Sequence, residues 1–389
     1  MPRLPIVALL ALLVACSSPD DDAHNPGDNT DPANQNQNAA NQNQSQPDAG
    51  TDASANHTDP PDSGPNHTEP DANNDPDANN DPGPTTIAAL HPGDQDIADH
   101  PSVVWHEDFE QSSISEMADR YDQARTNGMS FSSDVPSASS GSQSVIMTAG
   151  GSHGDATDLY AVLPGDGYDQ LYVRYYVKHE DAPYHHSGMW IGGYNPTLTY
   201  PFPRAGTRPD GDERVSIAVE PSGSTATGRR MDFYNYWMGM RSWMSEPSGN
   251  TAFYGNAVLH YDSFHTRPDE WMCIEFMVRL NTSMDNSDGG ELAIWVDDDL
   301  LQHFDAEQPL GYWTADKFCP ADADSPACVN YAPPPEDREQ EPLNLQWRNS
   351  PELRLNHIWP QNYISSGEGS LYFDDIVVAT ERIGCIVSD

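Results

Sequence analysis

Short runs of alternating apolar and polar residues, each closed by Gly, Pro, Asn or Asp, recur along the chain from residue 103 onward. The clearest is Trp271–Leu280. Met272, Ile274, Phe276, Val278 and Leu280 fall on one face, and Cys273, Glu275, Met277 and Arg279 on the other. A period of two marks a strand with one face buried. The same reading predicts strands at Val103–Phe109, Ser144–Ala149, Leu159–Leu163, Leu171–Lys178, Met189–Gly193 and Val215–Glu220. It continues with Met231–Met238, Leu292–Val296, Leu343–Arg348, Leu353–Trp359 and Leu371–Ala379. Ile114–Arg125 reads as a short helix, and Asp297–Asp298–Asp299 as a hairpin turn. So many short strands with so little helix predict an all-β fold, an antiparallel β-sandwich. The absence of a βαβ rhythm and of a glycine-rich phosphate loop argues against a nucleotide cofactor.

Met231–Met238 carries the candidate chemistry. Asp232, Tyr234 and Tyr236 share one face, while Phe233, Asn235 and Trp237 share the other, and Gly239 ends the run in a turn. Two phenols two strand steps apart, about 7 Å, can grip one sugar unit or move protons on either side of a glycosidic bond. Trp190, Tyr194, Trp237 and Trp243 are candidates for stacking on sugar rings. Asn356, His357, Gln361 and Tyr363, on or after a late strand, offer hydrogen-bonding groups to a ligand.

The alternation is absent before residue 87. Arg3 precedes an apolar run, Leu4 to Ala15, that is too short to span a bilayer. It ends in Leu13–Val14–Ala15–Cys16, which resembles the lipobox of bacterial lipoproteins. That resemblance implies a leader over residues 1–16, lipidation of Cys16 and, with Ser17 following, an outer-membrane address. Residues 17–86 hold 14 acidic residues, no Lys or Arg, and the repeat DANNDP twice. Such a segment cannot bury enough surface to offset chain entropy and is expected to be a disordered tether reaching roughly 45 Å. Residues 87–389 are the expected folded domain.

Charge narrows the partners. The 389 residues carry a net charge of −43. Nucleic-acid binders need a basic footprint, so nucleic acid is excluded, as is a helix lying on an anionic bilayer. The membrane contact is then Cys16 alone, and a monomer is expected. Residues 174–241 are an exception, with 8 basic against 7 acidic residues. Arg174, Lys178 and Arg241 are therefore candidate contacts for an anionic substrate. Cys273, Cys319, Cys328 and Cys385 remain, an even number that suggests two disulfides in an exported chain. Three pairings are open. The local choice, Cys319 with Cys328, leaves Cys273 to meet Cys385. No C-x-x-C pair supports zinc.

Three stretches together point to a family: Trp271–Met272–Cys273–Ile274–Glu275 with Asn281, Gly290 and Trp295–Val296–Asp297; the ending Leu371 to Gly384; and Tyr234–Asn235–Tyr236. The set resembles the jelly-roll polysaccharide lyases, the alginate and glucuronan lyase group with a concanavalin A-like sandwich. The resemblance implies a uronic acid held in a concave sheet. One group neutralises its carboxylate, a base removes the C5 proton, and an acid protonates the leaving oxygen. Tyr234 and Tyr236 match the acid and base tyrosines of that group, and no cofactor is required. The chain departs from the pattern at two places. Met189 stands where the group carries Lys, and Ser216–Ile217–Ala218 lacks its Arg. His185 and His186 are the candidate replacements, since histidine titrates near neutrality. Arg174, Arg241 or Gln361 is the candidate for neutralising the carboxylate. Related sandwiches hold a structural ion where the chain ends meet, and Glu107, Asp108, Asp374 and Asp375 offer oxygen ligands for Ca²⁺ there. No Glu-x-Asp-x-x-Glu strand is present to suggest a retaining glucanase. Two functions stay open: a surface-tethered lyase acting on uronate-containing glycans, and a non-catalytic carbohydrate-binding or structural lipoprotein on the same scaffold.

Overall fold

The computed structural model describes residues 85–150, 156–180, 186–221, 229–245, 250–314, 337–363 and 368–388. Two short α-helices lie among them, α1 (Ile87–Leu90) and α2 (Ile114–Ala118). The first strands are β1 (Val103–Glu107), β2 (Gln123–Arg125), β3 (Met129–Ser132), β4 (Ser144–Ala149), β5 (Thr157–Val162) and β6 (Gln170–His179). They are followed by β7 (Ser187–Tyr194), β8 (Arg214–Pro221), β9 (Met231–Tyr236), β10 (Trp243–Ser245), β11 (Asn250–Ala252) and β12 (Trp271–Arg279). The last are β13 (Glu291–Val296), β14 (Asp299–Phe304), β15 (Leu310–Gly311), β16 (Glu341–Pro342), β17 (His357–Asn362) and β18 (Gly369–Ala379).

Two antiparallel sheets form the sandwich. The larger runs β14-β13-β12-β6-β18-β4-β3, and β1 pairs with β18. The smaller runs β2-β5-β17-β7-β8-β9. Their inner faces meet through aromatic contacts: Phe233 on β9 lies 6.4 Å from Phe276 on β12, and within the larger sheet Tyr175 on β6 lies 5.9 Å from Phe373 on β18. Burying each such side chain contributes about 1.5–3 kcal/mol. The alternation along Trp271–Leu280 is observed, with Met272, Ile274, Phe276, Val278 and Leu280 in the core.

The other face of β12 is buried as well, because both ends of the domain fold over the larger sheet. Glu275 accepts the backbone N–H groups of Ile383 and Gly384 at 2.7 and 2.8 Å. Cys273 is disulfide-bonded to Cys385, as expected, while Cys319 and Cys328 lie outside the described residues. Ile87 and Ile97 pack on Val377 and Ala379. In β18 the pairing shifts register between Asp374 and Val377, and Asp375 takes a left-handed φ of 45°. At this bulge the strand passes from β4 to β1 as its neighbour.

Three local expectations differ from the structure. The helix stops at Ala118, and Gln123–Arg125 forms a strand instead. Leu343–Arg348 buries Leu343, Leu345 and Trp347 alternately but lies in no strand. The strand expected at Leu353–Trp359 begins only at His357, as β17, and continues through Pro360 to Asn362.

Candidate active site

Alternation places one set of side chains on the outer face of the smaller sheet, and the pairing registers arrange them in rows. Trp359 pairs with Trp190, Trp190 with Ala218, and Ala218 with Tyr234. Ala218 is small enough for Trp190 to reach Tyr234 across β8, with ring centroids 5.7 Å apart. Trp190 also lies 5.3 Å from Trp359, so the row is a continuous aromatic layer. Trp190, Trp359 and Tyr194 are all buried and, contrary to the expectation for Trp190 and Tyr194, present no open ring face for stacking on a sugar. One row along, His357 pairs with Gly192, Gly192 with Ser216, and Ser216 with Tyr236. On the other side, Gln361 pairs with Asp158 and with Gly188, and Glu220 pairs with Asp232.

Tyr234 and Tyr236 lean together, with hydroxyls 3.3 Å apart, closer than the strand spacing alone gives. Tyr236 is buried and Tyr234 half-buried. The segment from Gly255 to Leu259 closes this edge. A Cβ on Gly255 would stand 2.3 Å from the Tyr234 ring, so only glycine allows this approach. Asp232 anchors the segment by accepting the N–H groups of Val258 and Leu259 at 2.8 and 3.0 Å.

His186 and Glu220 complete the cluster. The His186 ring meets Tyr234 edge-on at 4.8 Å and lies 6.0 Å from Tyr363. Its Nδ1 is 2.8 Å from Glu220 Oε1. A carboxylate at Nδ1 favours the tautomer protonated there, which makes Nε2 the basic nitrogen. Glu220 is 1% exposed, and its Oε2 has no hydrogen-bond partner. Burial raises the Tyr234 pKa well above the ordinary phenol value, and Tyr236 and Glu220 raise it further. Burial likewise raises Tyr236. Both phenols are therefore protonated at neutral pH, which suits proton donors rather than bases.

The remaining candidates divide. His357 lies on the same face, stacked on Tyr194 at 4.6 Å, and burial lowers its pKa to about 3. Asn356 spends its amide on Tyr194, accepting from its N–H and donating to its carbonyl. Trp237 packs in the core against Trp347, and Met189 is fully buried. Arg241 pairs with Glu341 at 2.7 Å and covers the Trp313 ring at 3.2 Å. Arg174 and Lys178 are not near the tyrosines. Both belong to β6 in the larger sheet, on its outer face, although they are close in sequence to β7. Arg174 pairs with Asp94 and donates to the Asp375 carbonyl, and Lys178 pairs with Asp134 over the Tyr372 ring. His185, Cys16 and the Trp243 side chain lie outside the described residues. Glu220 was not singled out from the sequence, although alternation along Val215–Glu220 puts it on the face of Ser216 and Ala218.

The four residues expected to hold calcium do not form one donor set. Glu107 points inward and is used up by Arg120, Tyr121, Gln111 and the Phe109 N–H. A cavity of about 180 Å³ instead gathers Asp108 and Asp375 with Asp94, His106 and Glu110, without Asp374. Among the described residues, no group of three or more His, Cys, Asp or Glu is arranged to hold a metal.

Neither a family model nor a curated protein matches this chain. Solved structures do. A marine PL-14 alginate lyase from Aplysia kurodai matches at 14% identity, TM-score 0.45, covering 72% of this chain and 100% of its own. The alginate lyase vAL-1 from Chlorella virus matches at 13% identity, TM-score 0.43, covering 72% and 100%. An endo-beta-1,4-glucuronan lyase from the fungus Trichoderma reesei matches at 10% identity, TM-score 0.36, covering 72% and 96%. These TM-scores are low, and the reading of the site rests on this chain's own residues.

Proposed function

We propose that this chain is a polysaccharide lyase-like protein that cleaves uronate-containing glycans by β-elimination on the outer face of the smaller sheet. The observation that carries the proposal is the Tyr234–Tyr236 hydroxyl pair beside a carboxylate-held imidazole, His186, over an aromatic layer. Trp190 and Trp359 are buried, at 3% and 6% exposure, so they support Tyr234 from beneath, and the half-buried Tyr234 ring is what a sugar meets. His186 Nε2 takes the C5 proton, and Glu220 keeps the imidazole in the required tautomer. The C4–O4 bond breaks as the C4=C5 double bond forms, and the Tyr234 phenol gives its proton to the leaving oxygen. Tyr236 supports Tyr234 by the shared hydrogen bond. Gln361, in the Glu220 row and 3% exposed, is the remaining candidate for the sugar carboxylate, since Arg174 and Arg241 are engaged elsewhere. Mass spectrometry of digests of alginate, glucuronan and a heparinoid tests the proposal. Elimination gives fragments whose masses sum to the substrate, and hydrolysis adds a water. Water-adding cleavage, or no cleavage on any of them across several pH values, would overturn it.

A second reading has a specific observation in its favour: the phenols bond each other, and the predicted Lys and Arg of related lyases are missing. On that reading the same face binds glycan without turnover. A glycan array showing binding with no cleavage supports it, and cleavage lost in Tyr236→Phe eliminates it. In either case we propose a monomer tethered through lipidated Cys16 in the bacterial cell envelope, at the outer membrane. Fatty-acid labelling that disappears in Cys16→Ser tests the anchor.

A further inference from the structure

The loop between β7 and β8 leaves the smaller sheet at Tyr194 and carries the most exposed aromatic pair of the described residues. Tyr200 and Phe202 are each 48% exposed, with ring centroids 6.4 Å apart. Adjacent exposed aromatics, unlike single scattered ones, form a contiguous apolar patch of the kind that marks a contact site. Their placement is fixed rather than loose. The Phe202 N–H donates to the Tyr194 hydroxyl at 2.8 Å, and the Tyr160 hydroxyl donates to the Leu198 carbonyl at 3.0 Å. Both tyrosines belong to the face that holds the site, so the loop is tied to that face. Gly206 and Phe253 exchange backbone hydrogen bonds, which joins the loop to the segment that closes over Tyr234.

Arg204 stands beside the pair. Arg204 is exposed, its guanidinium lies 5.8 Å from the Phe202 ring, and it forms no ion pair with a carboxylate among the described residues. Its backbone is left-handed, with φ of 52°, a costly conformation for a residue with a side chain. The Thr207 hydroxyl and N–H both donate to the Arg204 carbonyl, at 2.9 and 3.3 Å, and hold that turn.

We propose that Tyr200, Phe202 and Arg204 form a second sugar subsite that takes an acidic residue of the glycan strand lying beyond the tyrosine pair. The proposal rests on the glycan-directed reading of that face, whether catalytic or not. Tyr194 is two rows along β7 from Trp190, about 13 Å at the strand rise, so the subsite engages only strands longer than the unit held at Tyr234. The rings offer an apolar surface to the sugar, and the guanidinium pairs with its carboxylate.

The test is affinity electrophoresis and calorimetry of the full chain with oligouronates of graded length. Tyr200→Ala with Phe202→Ala, and Arg204→Glu, are expected to weaken binding of long oligomers roughly five- to tenfold each. Binding of the disaccharide is expected to stay unchanged, as is the thermal midpoint. Equal loss for short and long oligomers, or no loss for either, would overturn the subsite. So would sedimentation with anionic vesicles that depends on these residues while glycan binding does not. The outcomes separate from those of the elimination proposal. Length-dependent binding without cleavage keeps the subsite and removes the lyase, whereas cleavage with unchanged long-chain affinity does the reverse.

Discussion

Glu220 and Asp94 are both buried acids, one on the smaller sheet and one in a turn packed against the larger, and their partners differ in kind. Asp94 meets Arg174, itself 0% exposed, whose guanidinium does not lose its proton. The pair clamps the first residues of the domain onto the larger sheet and helps carry the bulge at Asp375 through the Arg174 bond to its carbonyl. Glu220 meets an imidazole, which can change protonation, and two phenols stand next to it. Burial of an acid is thus no mark of a site by itself. What distinguishes the smaller sheet is a buried carboxylate paired with an imidazole beside the half-buried Tyr234 ring.

The sharpest way to break this contrast is to damage each cluster and read both activity and stability. On the smaller sheet, Tyr234→Phe or Glu220→Gln should leave the fold intact and reduce glycan cleavage by roughly 10²–10⁴-fold, the usual weight of a proton-transfer group. An Asp94→Asn control should cleave at the wild-type rate wherever it is folded. On the larger sheet the effect falls on stability. Arg174→Met leaves Asp94 without its cation and should cost about 3–5 kcal/mol in urea denaturation. A change below about 1 kcal/mol, within the range of ordinary surface substitutions, would mean that the clamp is not structural. Replacing Cys273 and Cys385 together by Ser opens a link across 112 residues and should cost about 2–5 kcal/mol, again with cleavage retained at temperatures where the chain is folded.

The pH dependence gives a gentler test with opposite signs in two places. Burial and mutual repulsion raise the pKa of Asp374, to about 9, and of Asp375. A carboxyl with a raised folded pKa contributes most below its unfolded value near 4, and that contribution is lost as pH rises toward the folded value. Asp374→Asn should therefore flatten the alkaline side of the stability profile. His357 and His179 are lowered by burial, to about 3 and about 4. Their contribution is complete above about pH 6.5 and is lost as pH falls through the folded values. Denaturation midpoints that fall on both sides of neutrality agree with these signs, and a profile flat from pH 4 to 9 would contradict them.

Much of the sandwich was legible because burial on one face writes a period of two into the sequence. Trp271–Leu280 and Met231–Tyr236 both show it, and the shared face of Tyr234 and Tyr236 followed directly. The same signal misleads at Leu343–Arg348. There Leu345 and Trp347 are buried in alternation, but the backbone joins no sheet, since alternation reports which side chains are covered and not what the N–H groups bond. Pro360 looked like a strand end. It sits opposite Met189 in β17, and the ladder to β5 skips Trp359 and Pro360, which accommodates the missing N–H. Arg174 and Lys178 were read as neighbours of the site because they are near it in sequence. Successive strands β6 and β7 belong to different sheets, and no local pattern announces that crossing. Glu220 ends the predicted strand Val215–Glu220, and no local pattern announces that it meets His186, 34 residues earlier in the chain.

The most direct test of the elimination chemistry is the ultraviolet absorbance of the unsaturated uronate formed when wild-type protein and Tyr236→Phe are mixed with alginate or glucuronan. The geometry predicts a steady rise for the wild type on at least one of these glycans and a rate at least about 100-fold lower for the variant. Equal rates for the two proteins, or no rise for the wild type while it still binds the glycan, would contradict the assignment of Tyr234 as the proton donor supported by Tyr236.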